Sequence, residues 1–233
     1  MSKFIEVAEQ RVELVFKKIK NVHLSVKPPD GDVFVSAPFG MKVSAIQAFV
    51  LTKLTWIRKH QKRLREQERE PDREYVEMET HLVWGHRYLL SLEESSGKQG
   101  VTCESNRLIL RVKPNSTSDQ KAAVYEAWSR DELRSTAGPM IANWAAKIGV
   151  SPGELYVQKM KTRWGSCNVA KGNIRLNTEL AKKPRELLEF VVVHELVHLL
   201  ERNHTKRFYS LMDRYMPNWR DKSRQLNGLS IHS

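Results

Sequence analysis

The segment Val191-Val192-Val193-His194-Glu195-Leu196-Val197-His198-Leu199-Leu200 places two histidines and a glutamate inside an apolar run. Such a run is buried in a folded chain, and buried imidazole and carboxylate groups are costly unless paired or bound to a metal. His194 and His198 are four residues apart. At about 100° per residue they stand roughly 40° apart on one helical face, one turn above the other. Two imidazoles so placed can share one ion, with Glu195 in the position of a general base for a water that the ion activates. A helix over 184–202 is expected, and another over 204–216.

A catalytic zinc needs a third protein ligand and an open position. No glutamate follows Glu201, which is itself only three residues beyond His198 on the same helix. His204 lies six residues past His198 and just after Asn203, a residue able to end a helix in a left-handed conformation. His204 is therefore chosen as third ligand, and one Zn²⁺ per chain is the expected cofactor. Asp213, Asp221 and His232 are alternatives that nothing local positions. His23, His60, His81 and His86 have no comparable arrangement and read as structural or surface residues.

Val22, Leu24 and Val26 alternate with His23 and Ser25, and Val33 and Val35 resume that period after the turn residues PPDGD. The first 40 residues thus read as β. Residues 43–68 read as one long helix ending before Pro71, with Ser44 and Gln47 at capping-box spacing and an apolar stripe of Ile46, Phe49, Val50, Leu54 and Ile57. WGHRYLLSLEE and NRLILRV read as strands separated by the turn SSGKQG, and KPNSTSDQ as a linker. A helix over 119–148, a strand and turn in LYVQKMKTRWGSC and a strand in GNIRLNTEL follow. The expected fold is α+β: a β-rich subdomain at 1–115 carrying the long helix, then a metal-site domain at 116–233.

Hydrophobic residues make up 40% and charged residues 28%, a soluble mixture, and no apolar run approaches a membrane span of about 18 residues. The first residues carry acidic side chains and lack the layout of a secretory signal, and Cys103 and Cys167 make no disulfide framework. A reducing cytoplasm is expected. Net charge is +12, and the window 157–185 sets Lys159, Lys161, Arg163, Lys171, Arg175, Lys182, Lys183 and Arg185 against Glu179 alone. Such a stretch can contact DNA, a nucleotide or an acidic peptide, or serve as a solvated face. In TRWGSCN, Trp164 reads as a core anchor, Gly165 as a tight-turn residue and Cys167 as a buried thiol.

With these residues in view, VVVHELVHLLERNHTKRFYSLMDRYMPNWR and KTRWGSCNVAKGNIRLN, after a β-rich first part with its long helix, resemble the YgjP-like metallopeptidase family. The resemblance covers nearly the whole chain. The two blocks are also similar to SprT-like and Wss1-like zinc proteases, which act on DNA-associated proteins. The resemblance implies a zincin-type α+β fold with His194, His198 and His204 as ligands and Glu195 as base. Metzincins have a glycine where Glu201 stands here, so the chain is not assigned to them. Met212 or Met216 beneath the ion is an alternative to their reading as core.

In zincins an edge strand beside the metal helix pairs with the peptide backbone, and Ile174–Asn177 is the expected equivalent. Arg163, Arg175, Asn177 and Tyr209 are the expected substrate contacts, with Arg163, Tyr209 or Tyr215 as an oxyanion donor. The function so implied is a zinc-dependent hydrolase, a metallopeptidase. One alternative is a metal-dependent nucleotide pyrophosphatase, since some members of the resembled family are assigned activity on UTP. Another is a DNA-associated binding module whose metal is structural.

Overall fold

In the computed structural model, residues 3–27, 30–66 and 73–229 are described, and they fall into two compact units, within 1–70 and 71–231. The smaller unit holds β1 (Lys3–Val7), β2 (Gln10–Lys17), β3 (His23–Lys27) and β4 (Asp32–Pro38) in the order β1-β2-β4-β3. The period-two pattern turns Ile5, Val7, Val12, Leu14, Val33 and Val35 to one buried face. Helices α1 (Val43–Thr52) and α2 (Leu54–Glu66) close that core with Ile46, Val50 and Ile57.

The single helix expected over 43–68 is thus two. At Lys53 the backbone leaves helical geometry (φ −107°, ψ 4°) and its N–H donates to the Val50 carbonyl, three residues back. The Thr52 hydroxyl donates to the Phe49 carbonyl at 2.7 Å, further occupying the turn. The expected Ser44–Gln47 capping box does not form, because the helix begins at Val43 after Lys42 and Ser44 already lies inside its first turn. Pro28, Pro29 and Pro71 lie outside the described residues.

The larger unit opens with β5 (Thr80–Val83), β6 (His86–Glu94), β7 (Gly100–Glu104) and β8 (Arg107–Val112), ordered β5-β6-β8-β7. Helix α3 (Ser118–Ile148) follows, then β9 (Leu155–Gln158), β10 (Gly165–Asn168) and β11 (Asn173–Asn177) in a small sheet ordered β10-β11-β9. A 3₁₀ turn (Thr178–Lys182), α4 (Arg185–Val197), α5 (Lys206–Tyr215) and α6 (Trp219–Gly228) complete the described chain. Strand β7 and helix α6 are additions to the elements expected from the sequence.

The division expected at 115/116 falls inside this unit. Leu90, Leu108, Leu110 and Val112 share one core with Leu133 and Ile141 of α3 and with Leu188 and Val192 of α4. The KPNSTSDQ segment is a tight entry to α3: Thr117 caps the helix, Gln120 N–H donates to its hydroxyl oxygen, and the Gln120 side chain accepts from Thr117 N–H at 2.9 Å. Helix α3 then touches β8, β9 and α4, so both sheets and the metal-site helix are built on one support.

Candidate metal centre

Helix α4 is buried along most of its length, through Leu187, Leu188, Phe190, Val191, Val192, Val193, Leu196 and Val197. Burying each such side chain contributes roughly 1.5–3 kcal/mol, which offsets the cost of holding Glu195 in the interior. The helix ends at Val197 rather than near 202, because the N–H groups of Leu199 and Leu200 turn to carbonyls three residues back at 3.0 and 2.9 Å. Asn203 does not take the expected left-handed conformation. The reversal is made instead by Thr205, whose N–H donates to the Asn203 carbonyl at 2.7 Å and whose side chain caps α5 at Phe208 N–H.

This reversal brings His204 against the helix. One nitrogen from each of His194, His198 and His204 lies within 4.8 Å of the others, and the Nε2 atoms of His194 and His204 are 3.1 Å apart. Tetrahedral zinc with nitrogen ligands spaces them about 3.3–3.4 Å apart, so the donor set fits such an ion. His198 Nδ1 lies 3.1 Å from the Glu201 carbonyl, which only accepts, so Nδ1 carries the proton and Nε2 is left as the donor. Burial pulls His194 down to about 3, with His198 and His204 lowering it further, and burial also lowers His198. Neutral imidazole is the ligand form. Phe208, 1% exposed, meets all three rings at centroid distances of 5.0, 4.7 and 4.6 Å. Met212 and Met216 lie in the core.

Glu195 is 5% exposed, and burial pushes its carboxyl up to about 8 against the opposing charge of Arg163. Its Oε2 has no hydrogen-bond partner among the described residues. Gly165 belongs to β10, not to a tight turn, and a Cβ there would stand 2.7 Å from Glu195 Oε1 and 2.7 Å from Val191 Cγ1. The glycine therefore serves a close backbone approach of β10 to α4. The cleft around these groups has a volume of about 1270 Å³ and takes one wall from Gly165–Ala170 and another from Ser223, Leu226 and Asn227.

Ile174–Asn177 is not an edge: β11 is the central strand, paired with β10 on one side and β9 on the other. The free edge beside α4 belongs to β10. Asn177 is fully buried and faces the protein rather than a substrate. Its amide donates to the carbonyls of Met160 at 2.8 Å and Arg163 at 2.9 Å, and its oxygen accepts from the N–H groups of Met160 and Glu179. Asn177→Ala is expected to cost about 2–4 kcal/mol, because several buried backbone groups lose their partner at once. Denaturant melts check this, and an unchanged midpoint would count against the anchor role.

Arg163 and Arg175 line the cleft, whereas Tyr209 stacks between His204 and Trp219 at centroid distances of 6.2 and 5.6 Å. The Tyr215 hydroxyl donates to the Ile148 carbonyl at 3.4 Å, which removes it as an oxyanion donor. Asp213 accepts from Trp219 Nε1 at 2.8 Å and pairs with Arg220, Asp221 pairs with Arg224, and His232 lies outside the described residues. Burial, then the charge of Glu195, pushes the Cys167 thiol up to about 11, so it stays protonated at neutral pH. The basic stretch 157–185 is dispersed: Lys159 pairs with Glu126, Lys182 with Glu179 and Arg185 with Glu132. No helix among the described residues is long and apolar enough to cross a membrane.

The family model described as YgjP-like, metallopeptidase domain matches residues 20–229. Several solved chains resemble part of this one, including two metallopeptidase zymogens. The metallopeptidase zymogen of Methanocaldococcus jannaschii jannalysin is 18% identical, with 38% of this chain and 91% of that one covered and a TM-score of 0.35. The metallopeptidase zymogen of Pyrococcus abyssi abylysin is 16% identical, with 38% and 90% covered and a TM-score of 0.36. No curated protein matches the sequence.

Proposed function

Since the chain belongs to the YgjP-like metallopeptidase family, we propose that it is a zinc-dependent peptidase in which His194, His198 and His204 hold the ion and Glu195 is the general base. The supporting observation is the meeting, in one cleft, of three clustered imidazole donors with a buried carboxylate whose Oε2 is unpartnered. When bound, the ion would acidify a water and polarise the scissile carbonyl. Glu195 accepts the proton of that water and returns it to the leaving nitrogen. Burial alone pushes this carboxyl up to about 8, and the positive charge of a bound ion would draw it back down. It is then ionised when it takes the proton and sheltered from bulk water while it holds it.

The free edge of β10 receives the peptide as an added strand, running past the three histidines. Arg163 is the remaining side-chain candidate for the second oxyanion donor, since it lines the cleft and its charge reaches Glu195. Asn177 acts indirectly, by pinning the backbone on which Arg163 and Gly165 are presented.

Casein and UTP, offered to the purified protein with stoichiometric zinc, test the reading. Casein is expected to be cut and UTP left intact. A chelator should stop cleavage, and added zinc should restore it. Consumption of UTP with casein untouched would overturn the assignment.

A further inference from the structure

The cleft has one sign of charge. Among the described residues that line it, Arg163, Arg175 and Arg202 are the arginines, no lysine is present, and Glu195 is the sole carboxylate. All three arginines are exposed, and none has an ion-pair partner among the described residues. This sets them apart from Lys159, Lys182 and Arg185 of the same basic stretch, whose charges are matched by glutamates. Arg163 precedes β10 and Arg175 stands on β11 directly opposite Ser166, so these two belong to the sheet wall. Arg202 comes from the reversal between His198 and His204, on the helical side. The Arg175 guanidinium carbon lies 5.6 Å from the centroid of the Tyr156 ring, a cation–π contact that orients the group while the residue stays exposed.

Resting on the peptidase reading above, we propose that this cleft selects polypeptide segments carrying aspartate or glutamate on both sides of the bond to be cut. A planar guanidinium matches a carboxylate in two parallel hydrogen bonds, and unmatched charges along a concave wall reinforce one another's field. Two observations favour a peptide over a nucleotide. The free edge of β10 offers backbone pairing along the cleft. A nucleoside triphosphate carries Mg²⁺, which proteins usually hold through one or two carboxylates, and among the described residues the cleft's single carboxylate is the buried Glu195. Acidic substrates also keep a cation-lined site from being filled by basic peptides, which it repels.

The experiment uses two labelled peptides of equal length, alike except that aspartate and glutamate in one are asparagine and glutamine in the other. Binding is measured on metal-loaded Glu195→Gln protein, and cleavage on the wild type. The acidic peptide should bind about tenfold more tightly, an advantage that shrinks as salt rises. Joint replacement Arg175→Glu and Arg202→Glu should invert the preference, with metal content and circular dichroism unchanged. Equal binding of the two peptides overturns the inference even if the wild type cuts both. Tight binding of the acidic peptide with no cleavage of any peptide upholds the cleft's selection of acidic segments and sinks the peptidase reading. Displacement of the acidic peptide by UTP at lower concentration than by unlabelled peptide would reassign the cleft to phosphate.

Discussion

Glu195→Gln is expected to lower peptide turnover by about 10³-fold or more while leaving the metal content of the protein unchanged. The replacement is nearly isosteric, so the helix, the three histidines and the close contact with Gly165 persist. What disappears is the group proposed to accept the proton. The same substitution has a second, opposite consequence in chelated protein. Burial raises the Glu195 carboxyl from 4.5 to about 8, so between those values the native state holds a proton that the unfolded chain has released. Stability of the metal-free protein therefore falls as pH rises through that window. Glutamine removes this slope, and the variant should be the more stable by about 2–5 kcal/mol above pH 8. Denaturant melts of chelated protein across pH check this. Parallel pH profiles for the two proteins would show that the carboxyl is not titrating as described.

Gly165→Ala is expected to cost about 1–3 kcal/mol in stability and about 10²-fold in turnover. The added methyl would meet Glu195 Oε1 and Val191 Cγ1 at 2.7 Å and Glu195 Cγ at 3.0 Å. The carboxylate tip could swing away, but Val191 is fixed in the core, so β10 must also part from α4. Either response moves the base relative to the peptide edge. Gly138→Ala is the control: beyond its chain neighbours nothing lies within 4 Å of its added Cβ. In α3 the helical gain of alanine is offset by crowding against Pro139, so stability should change by less than about 1 kcal/mol and turnover should not change. Stopped-time cleavage assays alongside melts separate the two effects. Full activity in Gly165→Ala would mean that the close approach has no catalytic purpose.

The parts of this site that depend on local spacing are legible in the sequence. His194 and His198 share a face because of the helical period, and Glu195 follows from their separation. Strand order is not legible. The centre of the small sheet is decided by pairing of Ile174 with Leu155 and Cys167 with Ile174, contacts made across loops that carry no local signal. The alternation rule misleads at Asn177 for a related reason. It groups Asn177 with Arg175 on one face, but the strand ends there and the chain turns into a 3₁₀ helix, directing the amide inward. Phe208 stands four residues after His204, so its position under the rings follows a visible spacing, yet a single apolar residue on α5 looks like any other core side chain. The break at Lys53 arises from turn hydrogen bonds that a continuous apolar stripe does not reveal.

The backbone reversal after Val197 also ties metal loading to local stability. His194 and His204 sit on either side of an irregular stretch held by short turn hydrogen bonds rather than by a continuous helix, and Phe208 reaches all three rings from the next helix. An ion held by these histidines would act as a fastener, closing a loop that otherwise depends on the Thr205 cap and on packing. A copy stripped of its ion would loosen first at Asn203, an exposed position open to other proteases. Loss of the ion and loosening of the reversal would then be one event, read as faster proteolysis near Asn203 in chelated protein than in loaded protein.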